Sequence, residues 1–376
     1  MFNRPLTDAT DARLRAQRVL PRLVFDYIDG AAGQEVGEVR NRDVLRGMAL
    51  QTRILRDVQQ RRLSTTVLGG TADLPFGIAP MGMCNLAWPG ADLMLARLAA
   101  RENVPHGLST VASTSMERVW EASQGKAWFQ LYYSGDGEGT IKLVERAKAV
   151  GYRTLVLTVD VPEVGRRPRE LKQGFKMPFR MGPRTFTDFA VHPHWSLTSL
   201  VRGAPSLGNF GPADQKRGFV FDRTESRAGA DWDFFDRLRA IWPGPLVVKG
   251  VLDPRDAAEL QKRGADAIQV SSHGGRQIDG GVGPVQALPK VRKAVGPDFP
   301  VFFDSGLRSG EDVLKVLALG ADYAFLGRPL QFAIAARQER GLTEYWESVK
   351  AELSIAMAMT GLTDVKDAST DILATD

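Results

Sequence analysis

"PVFFDSGLRSGEDVLKVLALGADYAFLG", residues 300–327, carries the pattern that decides the fold. An apolar run, "PVFFDSG" (300–306), ends in an acid, a serine and a glycine. "SGEDVLKVLALG" follows with apolar residues at helical spacing and stops at glycine, as helices do. A second apolar run, "YAFLG" (323–327), comes next. Each run is short and apolar throughout, the mark of a strand buried on both faces in a parallel sheet.

The same alternation recurs along the chain. The other runs are "LPFGIAP" (74–80), "VPHGLST" (104–110), "AWFQLYY" (127–133), "TLVLTVD" (154–160), "PLVVKG" (245–250) and "AIQVSS" (267–272). Helical patterns such as "GADLMLARLAAREN", "TSMERVWEASQG", "GTIKLVERAKAVG" and "DPRDAAELQKRG" lie between them. Eight strands alternating with helices predict an α/β protein, a (β/α)8 TIM barrel. A doubly wound open sheet is the alternative, but no GxGxxG follows the first strand. Residues 1–376 read as one domain. Residues 1–70 form an N-terminal helical accessory, 71–365 the barrel, and 166–220 a long loop after strand 4 on the barrel's C-terminal face.

The bulk composition excludes several classes. Hydrophobic residues at 43% and charged residues at 25% fit a globular chain with a large core. A net charge of +5 is too mild to argue for nucleic acid. The single cysteine, Cys84, permits no intrachain disulfide and no cysteine metal cluster, which suits a cytoplasmic setting. The start lacks an apolar signal core, and no apolar run is long enough to cross a membrane.

In a barrel, polar residues at the C-terminal ends of strands are the catalytic candidates. Strand 3 ends with Gln130 and Tyr132, strand 4 with Thr158 and Asp160, and strand 5 with Lys249. "SSHGGRQIDGG" (271–281) after strand 6 supplies Ser271, His273 and Arg276 among four glycines. Asp304, Gly306 and Arg308 follow strand 7; Gly327 and Arg328 follow strand 8. Glycine-rich turns with arginines after strands 7 and 8 suit a phosphate group. Lys249, in a strand that reads as buried, needs an anion beside it. A carboxylate that orients His273 makes it a general base, and Arg276 offers a planar fork for a substrate carboxylate.

These residues in this order resemble the FMN-dependent 2-hydroxy acid dehydrogenase and oxidase family, which includes glycolate oxidase, mandelate dehydrogenase and bacterial L-lactate dehydrogenase. The resemblance runs from about Leu20 to Leu362 and is most specific at "SSHGGRQIDG". "FDYIDGAA", "APMG", "LSTVAST", "FQLYY", "TVDVPEVGRR", "VVKGVLDPRDA", "DSGLRSGEDVLKVLALGAD" and "LGRP" also fit. It implies FMN as cofactor, a small 2-hydroxy acid as substrate and a 2-keto acid as product. It implies that His273 takes a proton from the substrate and that Asp160 stabilises the imidazolium. Arg276 and Tyr27 would hold the carboxylate, with Arg167 near it, and Tyr132 would bond the hydroxyl or developing ketone. Lys249 would stand by the flavin N1 and O2. Pro80, Met81, Gly82, Ser109, Gln130 and Thr158 would contact the ring system, and Ser271 would add to the cofactor site. Asp304, Gly306, Arg308, Gly327 and Arg328 would bind ribityl and phosphate. Hydride transfer and a carbanion route both remain open. The family also implies a homotetramer, and no haem domain is expected at the N terminus.

Three positions depart from the family: Ser272 replaces the usual Asn, Val111 stands where glycolate oxidase has Trp, and Gly82 where several members have Ala. Arg166 to Arg184 carries seven basic side chains interleaved with Phe175, Met177, Phe179 and Met181. That pattern suits a peripheral contact with the inner face of an anionic membrane and electron transfer to a quinone or other acceptor; the other reading is a solvated lid. No metal site is expected, since His192 and His194 flank a proline with no third ligand nearby. Three competing functions are an oxidase that uses oxygen, a non-catalytic FMN-binding barrel, and another FMN barrel such as isopentenyl diphosphate isomerase.

Overall fold

Eight parallel strands close into a barrel in the computed structural model, which describes residues 4–374 apart from 178, 180, 204 and 212–225. They are β1 Phe76–Met81, β2 His106–Ser109, β3 Ala127–Leu131, β4 Leu155–Thr158, β5 Leu246–Val251, β6 Ala267–Val270, β7 Val301–Phe303 and β8 Tyr323–Leu326. Each lies within or overlaps one of the eight apolar runs. β8 returns to pair with β1, Ala324 opposite Phe76, so no edge is left open.

Strand side chains alternate between two cores. Phe129, Leu155, Leu157, Val248 and Ile268 point outward to the helices. Trp128, Val156, Val247, Ala267 and Phe302 point inward and fill the barrel. Two residues farther along each strand, the same inward face carries Gln130, Thr158, Lys249, Gln269 and Asp304, all buried. The interior thus changes from apolar to polar along the barrel axis. A hairpin of Thr65–Val67 and Gly70–Ala72 adds Val67 and Ala72 to the inner core.

Three helices precede the barrel: α1 Ala9–Val19, α2 Arg22–Asp29 and α3 Val36–Gly47. α1 starts at Asp8, whose carboxylate accepts from the Thr10 and Asp11 amides. Its buried Ala12 and Ala16 lie against the C-terminal helical run Arg328–Thr360. That run breaks at Arg337 and Gln338, where φ reaches 53° at Gln338. Beyond the break, Trp346 is fully buried, with its ring centroid 4.7 Å from that of Phe76.

The long connection after β4 is not a bare loop. It holds helices Pro168–Gln173, Pro183–Ala190 and Pro193–Arg202, each with proline in its first turn. Within the 166–220 segment, residues 178, 180, 204 and 212–220 lie outside the described residues. Trp195 anchors the segment: it is buried, and its indole N–H donates to Leu86 O at 2.9 Å.

Gly310 opens the helix Gly310–Ala318 where it meets the C-terminal run; a Cβ there would lie 2.1 Å from Leu353 N and 2.4 Å from Val349 O. Gly310→Ala must push two helices apart. It is expected to destabilise the protein by roughly 1–3 kcal/mol, read as a lower urea midpoint.

Candidate active site

His273 follows β6 in a left-handed backbone conformation, φ 56°, that side chains rarely adopt. Its amide donates to Ser271 Oγ at 3.0 Å, and the amides of Ser272 and Gly274 donate to Ser305 Oγ at 3.2 and 3.0 Å. These bonds hold the turn in its strained form. Nδ1 of His273 lies 2.9 Å from Asp160 Oδ1, and Nε2 lies 3.4 Å from the Tyr132 hydroxyl. Burial pushes the imidazole below its ordinary 6.5, although Asp160 pulls the other way. The ring is therefore neutral at pH 7, oriented by a carboxylate, with Nε2 toward the cavity. Burial likewise raises the Tyr132 phenol to about 12, so it is a donor at neutral pH.

Lys249 lies beneath this pair. Its ammonium donates to Ser271 Oγ at 2.9 Å and stands 3.6 Å from Asp304 and 3.8 Å from Asp160. Burial alone would lower its pKa, yet the two carboxylates raise it, so the cation persists. Asp160 shows the reverse balance. Burial would raise it, but Lys249 and His273 hold it below the ordinary carboxylate value. Ser271 Oγ in turn donates to Asp304 Oδ1 at 2.6 Å.

Arg276 points from the same turn toward the N-terminal segment. One terminal nitrogen donates to the carbonyls of Tyr27, Ile28 and Gly30, and the other pairs with Glu170 at 3.1 Å. Its guanidinium carbon is 5.5 Å from the Tyr27 ring centroid. Arg167 meets the other side of the same Glu170 oxygen at 3.0 Å and donates to Arg276 O at 3.2 Å. Burial and the neighbouring Arg167 press Arg276 down to about 9, still charged at neutral pH. Tyr27, Arg167 and Arg276 thus converge on one wall, which the sequence expectation anticipated; Glu170, which ties the arginines together, it did not name.

Arg308 and Arg328 meet across Glu38, at 3.1 and 3.5 Å, and Arg42 adds a third guanidinium at 2.9 Å. One carboxylate does not balance three such cations, so the corner is net positive. Burial and Arg328 push Arg308 down to about 10. The helix Arg328–Thr360 begins at Gly327, adding its N-terminal dipole. Gly306 has φ 99°, and a Cβ there would lie 2.4 Å from Asn41 O, so no other residue fits. Two arginines, a helix start and a glycine turn fit the phosphate of FMN.

Both corners open into one cavity of about 1070 Å³, just above the usual range for ligand pockets. Its lining includes Tyr27, Pro80, Met81, Gly82, Tyr132, Arg167, Lys249, His273 and Arg276, and at the phosphate end Asp304, Gly306, Arg308, Gly327 and Arg328. Ser109, Gln130, Thr158 and Ser271 stand behind this lining. Ser109 donates to Gln130 Oε1 at 3.1 Å, and Gln130 Nε2 to Thr158 Oγ1 at 3.0 Å, which fixes the amide's orientation. A Cβ on Gly82 would lie 2.7 Å from Val111 Cγ2, so two of the departures from the family face each other. The third, Ser272, accepts from Asn41 Nδ2 at 2.9 Å and is hydrogen-bonded within the protein.

The remaining letters of "HGGRQID" tie the site together. Gln277 accepts the Gly165 amide at 3.0 Å, and Asp279 accepts those of Gln34 and Gly37 at 2.8 Å each. Arg169 bonds Asp26 at 2.6 Å and Asp29 at 2.7 Å, latching the lid to α2, while Arg13 grips Asp29 from α1. His192 is spent on Asp188 O at 2.7 Å, and the His194 ring lies tilted by 47° with its centroid 4.9 Å from that of Trp88. Among the described residues, no cluster of His, Cys, Asp or Glu is arranged to hold a metal.

Burial would raise the Asp29 carboxyl, but Arg13 and Arg169 prevail and lower it from 3.8 to about 2. A depressed carboxylate stabilises the fold above its unfolded pKa and loses that effect as pH falls toward the folded value. Asp29→Asn is therefore expected to cost on the order of 2 kcal/mol at pH 7. The gap to wild type should narrow as pH drops from about 4 toward 2 in thermal unfolding.

Comparison with known proteins agrees with this geometry. The profile of the FMN-dependent dehydrogenases matches residues 16–375. The chain is 40% identical to an L-lactate dehydrogenase of Caulobacter vibrioides over 375 residues, 98% of each chain. It is 37% identical to one from Pseudomonas aeruginosa, again over 98% of each. The structure of the monotopic membrane protein (S)-mandelate dehydrogenase superposes with a TM-score of 0.93 at 36% identity, covering 99% of this chain and all of that one. A mandelate oxidase bound to benzoyl-formic acid gives 0.83 at 33% identity, covering 99% and 98%.

Proposed function

Because the chain belongs to the FMN-dependent dehydrogenase family, we propose that it oxidises a 2-hydroxy acid to the 2-keto acid at the cavity between His273 and Arg276. The carrying observation is the oriented, neutral imidazole whose free nitrogen faces the Tyr132 hydroxyl within reach of an arginine-lined wall. FMN, when bound, supplies the sink for the two electrons that leave the substrate carbon. Arg308, Arg328 and the turn at Gly327 would hold its phosphate, and Lys249 offers a fixed cation to its electron-rich edge. Arg276, Arg167 and Tyr27 hold the substrate carboxylate. His273 takes the proton that oxidation releases, and Asp160, 2.9 Å away, stabilises the imidazolium. Tyr132 donates to the oxygen that becomes the ketone. A binder without chemistry has no use for the base, and an isomerase none for the carboxylate wall.

The protein is expected to purify yellow and to bleach without oxygen on addition of lactate, mandelate or longer 2-hydroxy acids. His273→Gln should slow bleaching by about 10²–10⁴-fold, measured by stopped-flow absorbance. Because burial holds His273 below 6.5, the midpoint of the acid limb of wild-type kcat/KM should lie below that pH. Asp160→Asn removes the charge that props the imidazole up, so the acid limb should shift to lower pH while the rate falls.

We infer a quinone acceptor reached at a membrane surface. The helices Pro183–Ala190 and Pro193–Arg202 turn Phe189 and Trp195 inward and leave Phe186, Leu197, Leu200 and Val201 exposed, at 66, 61, 79 and 84%. Met181 is exposed beside them, and Arg184 and Arg202 lie nearby in sequence. No described helix is long and apolar enough to cross a bilayer. An amphipathic patch of this kind suits lying on one. The monotopic structural relative supports the reading. The protein should co-float with phosphatidylglycerol vesicles, and Leu200→Ser with Val201→Ser should abolish flotation. A chain that stays unbound, and reduces oxygen faster than a quinone analogue, would be the oxygen-using oxidase instead.

A further inference from the structure

The phosphate corner contains an anion that a phosphate has no use for. Glu38 stands in the first turn of α3, with its side chain 13% exposed. It reaches the guanidiniums from behind the residues that line the cavity. Its two oxygens face different partners. Oε1 accepts from Arg308 at 3.1 Å and lies 3.5 Å from Arg328, while Oε2 accepts from Nε and a terminal nitrogen of Arg42 at 3.1 and 2.9 Å. Burial would raise this carboxyl, yet the three arginines hold it below the ordinary carboxylate value, so it is ionised at neutral pH.

Such a carboxylate is either a brace or a rival. If it aims the arginines, losing it loosens the cofactor. If it competes for them, losing it tightens the cofactor. The other bonds of the two arginines decide between these. Arg308 donates to Leu307 O at 2.9 Å. Arg328 donates to Asp29 O at 3.1 Å and to Gly274 O at 2.7 Å. These acceptors are backbone carbonyls of the turn after β7, the end of α2 and the His273 turn, so the arginines stay aimed without the carboxylate. What Glu38 supplies is charge. It offsets part of the repulsion among the guanidiniums when FMN is absent, and it repels the dianionic phosphate that meets the same guanidiniums. Whatever it gives the cofactor-free protein beyond what it gives the loaded one is subtracted from FMN binding.

We propose that Glu38 competes with the cofactor's phosphate for Arg308 and Arg328 and thereby sets how long FMN is retained. This rests on the reading of the corner as the phosphate site. Glu38 in this role touches neither the substrate nor the reacting atoms.

The test is release of FMN from the loaded enzyme on dilution, followed by the fluorescence of the freed flavin. Glu38→Gln should slow release by roughly 10-fold or more, the effect of removing one like charge from a partly buried site. Glu38→Leu, a second neutral variant, should do the same. Glu38→Asp keeps the charge and should release FMN at close to the wild-type rate. A disturbed fold speeds release, so slower release is a result that structural damage does not produce. Arg308→Met checks the corner itself and should speed release. Release that both neutral variants leave unchanged or hasten, or purification of both without flavin, overturns the proposal, while fast release from Arg308→Met keeps the phosphate reading. Release from Glu38→Asp as slow as from Glu38→Gln overturns it too, since charge is then not the cause. Release that Arg308→Met leaves unchanged removes both.

Discussion

A buried ammonium between two carboxylates organises the site. Lys249 reaches from β5 to Asp304 after β7 and Asp160 after β4, and bonds Ser271 after β6. Four strand ends therefore share one charge cluster. Taken singly, each member would be expensive to bury, and together they hold one another ionised. The cluster also dictates the rest. Asp160 can orient His273 because Lys249 keeps it charged, and Ser271 holds the His273 amide in its left-handed turn because Asp304 accepts its proton. The barrel's alternation puts these groups on its inner face, two residues beyond the apolar filling.

The arginines of the two corners follow a related rule. Arg276 and Arg167 share Glu170, and Arg308, Arg328 and Arg42 share Glu38. In each corner the carboxylates are fewer than the guanidiniums. That ratio tolerates burial of the arginines yet leaves a positive potential for an incoming anion. It also fixes the geometry in advance, so binding need not order long side chains.

The barrel was legible because β-strands buried on both faces are apolar throughout, as "LVVK" and "AIQV" are, and end where the chain needs polar groups. His273, Asp160, Lys249 and the two phosphate-corner arginines could be read for the same reason. The lid helices were missed although each carries a signal, a proline at its first turn: Pro168, Pro183 and Pro193. Glu170, Glu38, Ser305 and Asn41 left no such trace. Their partners lie far off in sequence, at Arg276, Arg308, Gly274 and Ser272, and no local period links them. Tyr27 emerged only through the family resemblance, since a tyrosine on a short amphipathic helix looks like packing. Gln277 and Asp279, read as motif letters, proved to be the struts that seat the lid and α3.

The route by which Tyr27 reaches its place has a consequence for synthesis. α1 packs on the C-terminal run Arg328–Thr360, and the amides at the start of α3 are held by Asp279. Both partners emerge from the ribosome long after the segment they hold. α1 and α3 are therefore seated late, and with them Tyr27, which lines the cavity from α2. Contacts of such long sequence separation form late, after the local βα units have collapsed. A nascent chain that has not yet released the Arg328–Thr360 run has strands and His273 but an unfinished cavity wall at Tyr27. Docking of the Arg328–Thr360 run and completion of this cavity wall therefore coincide.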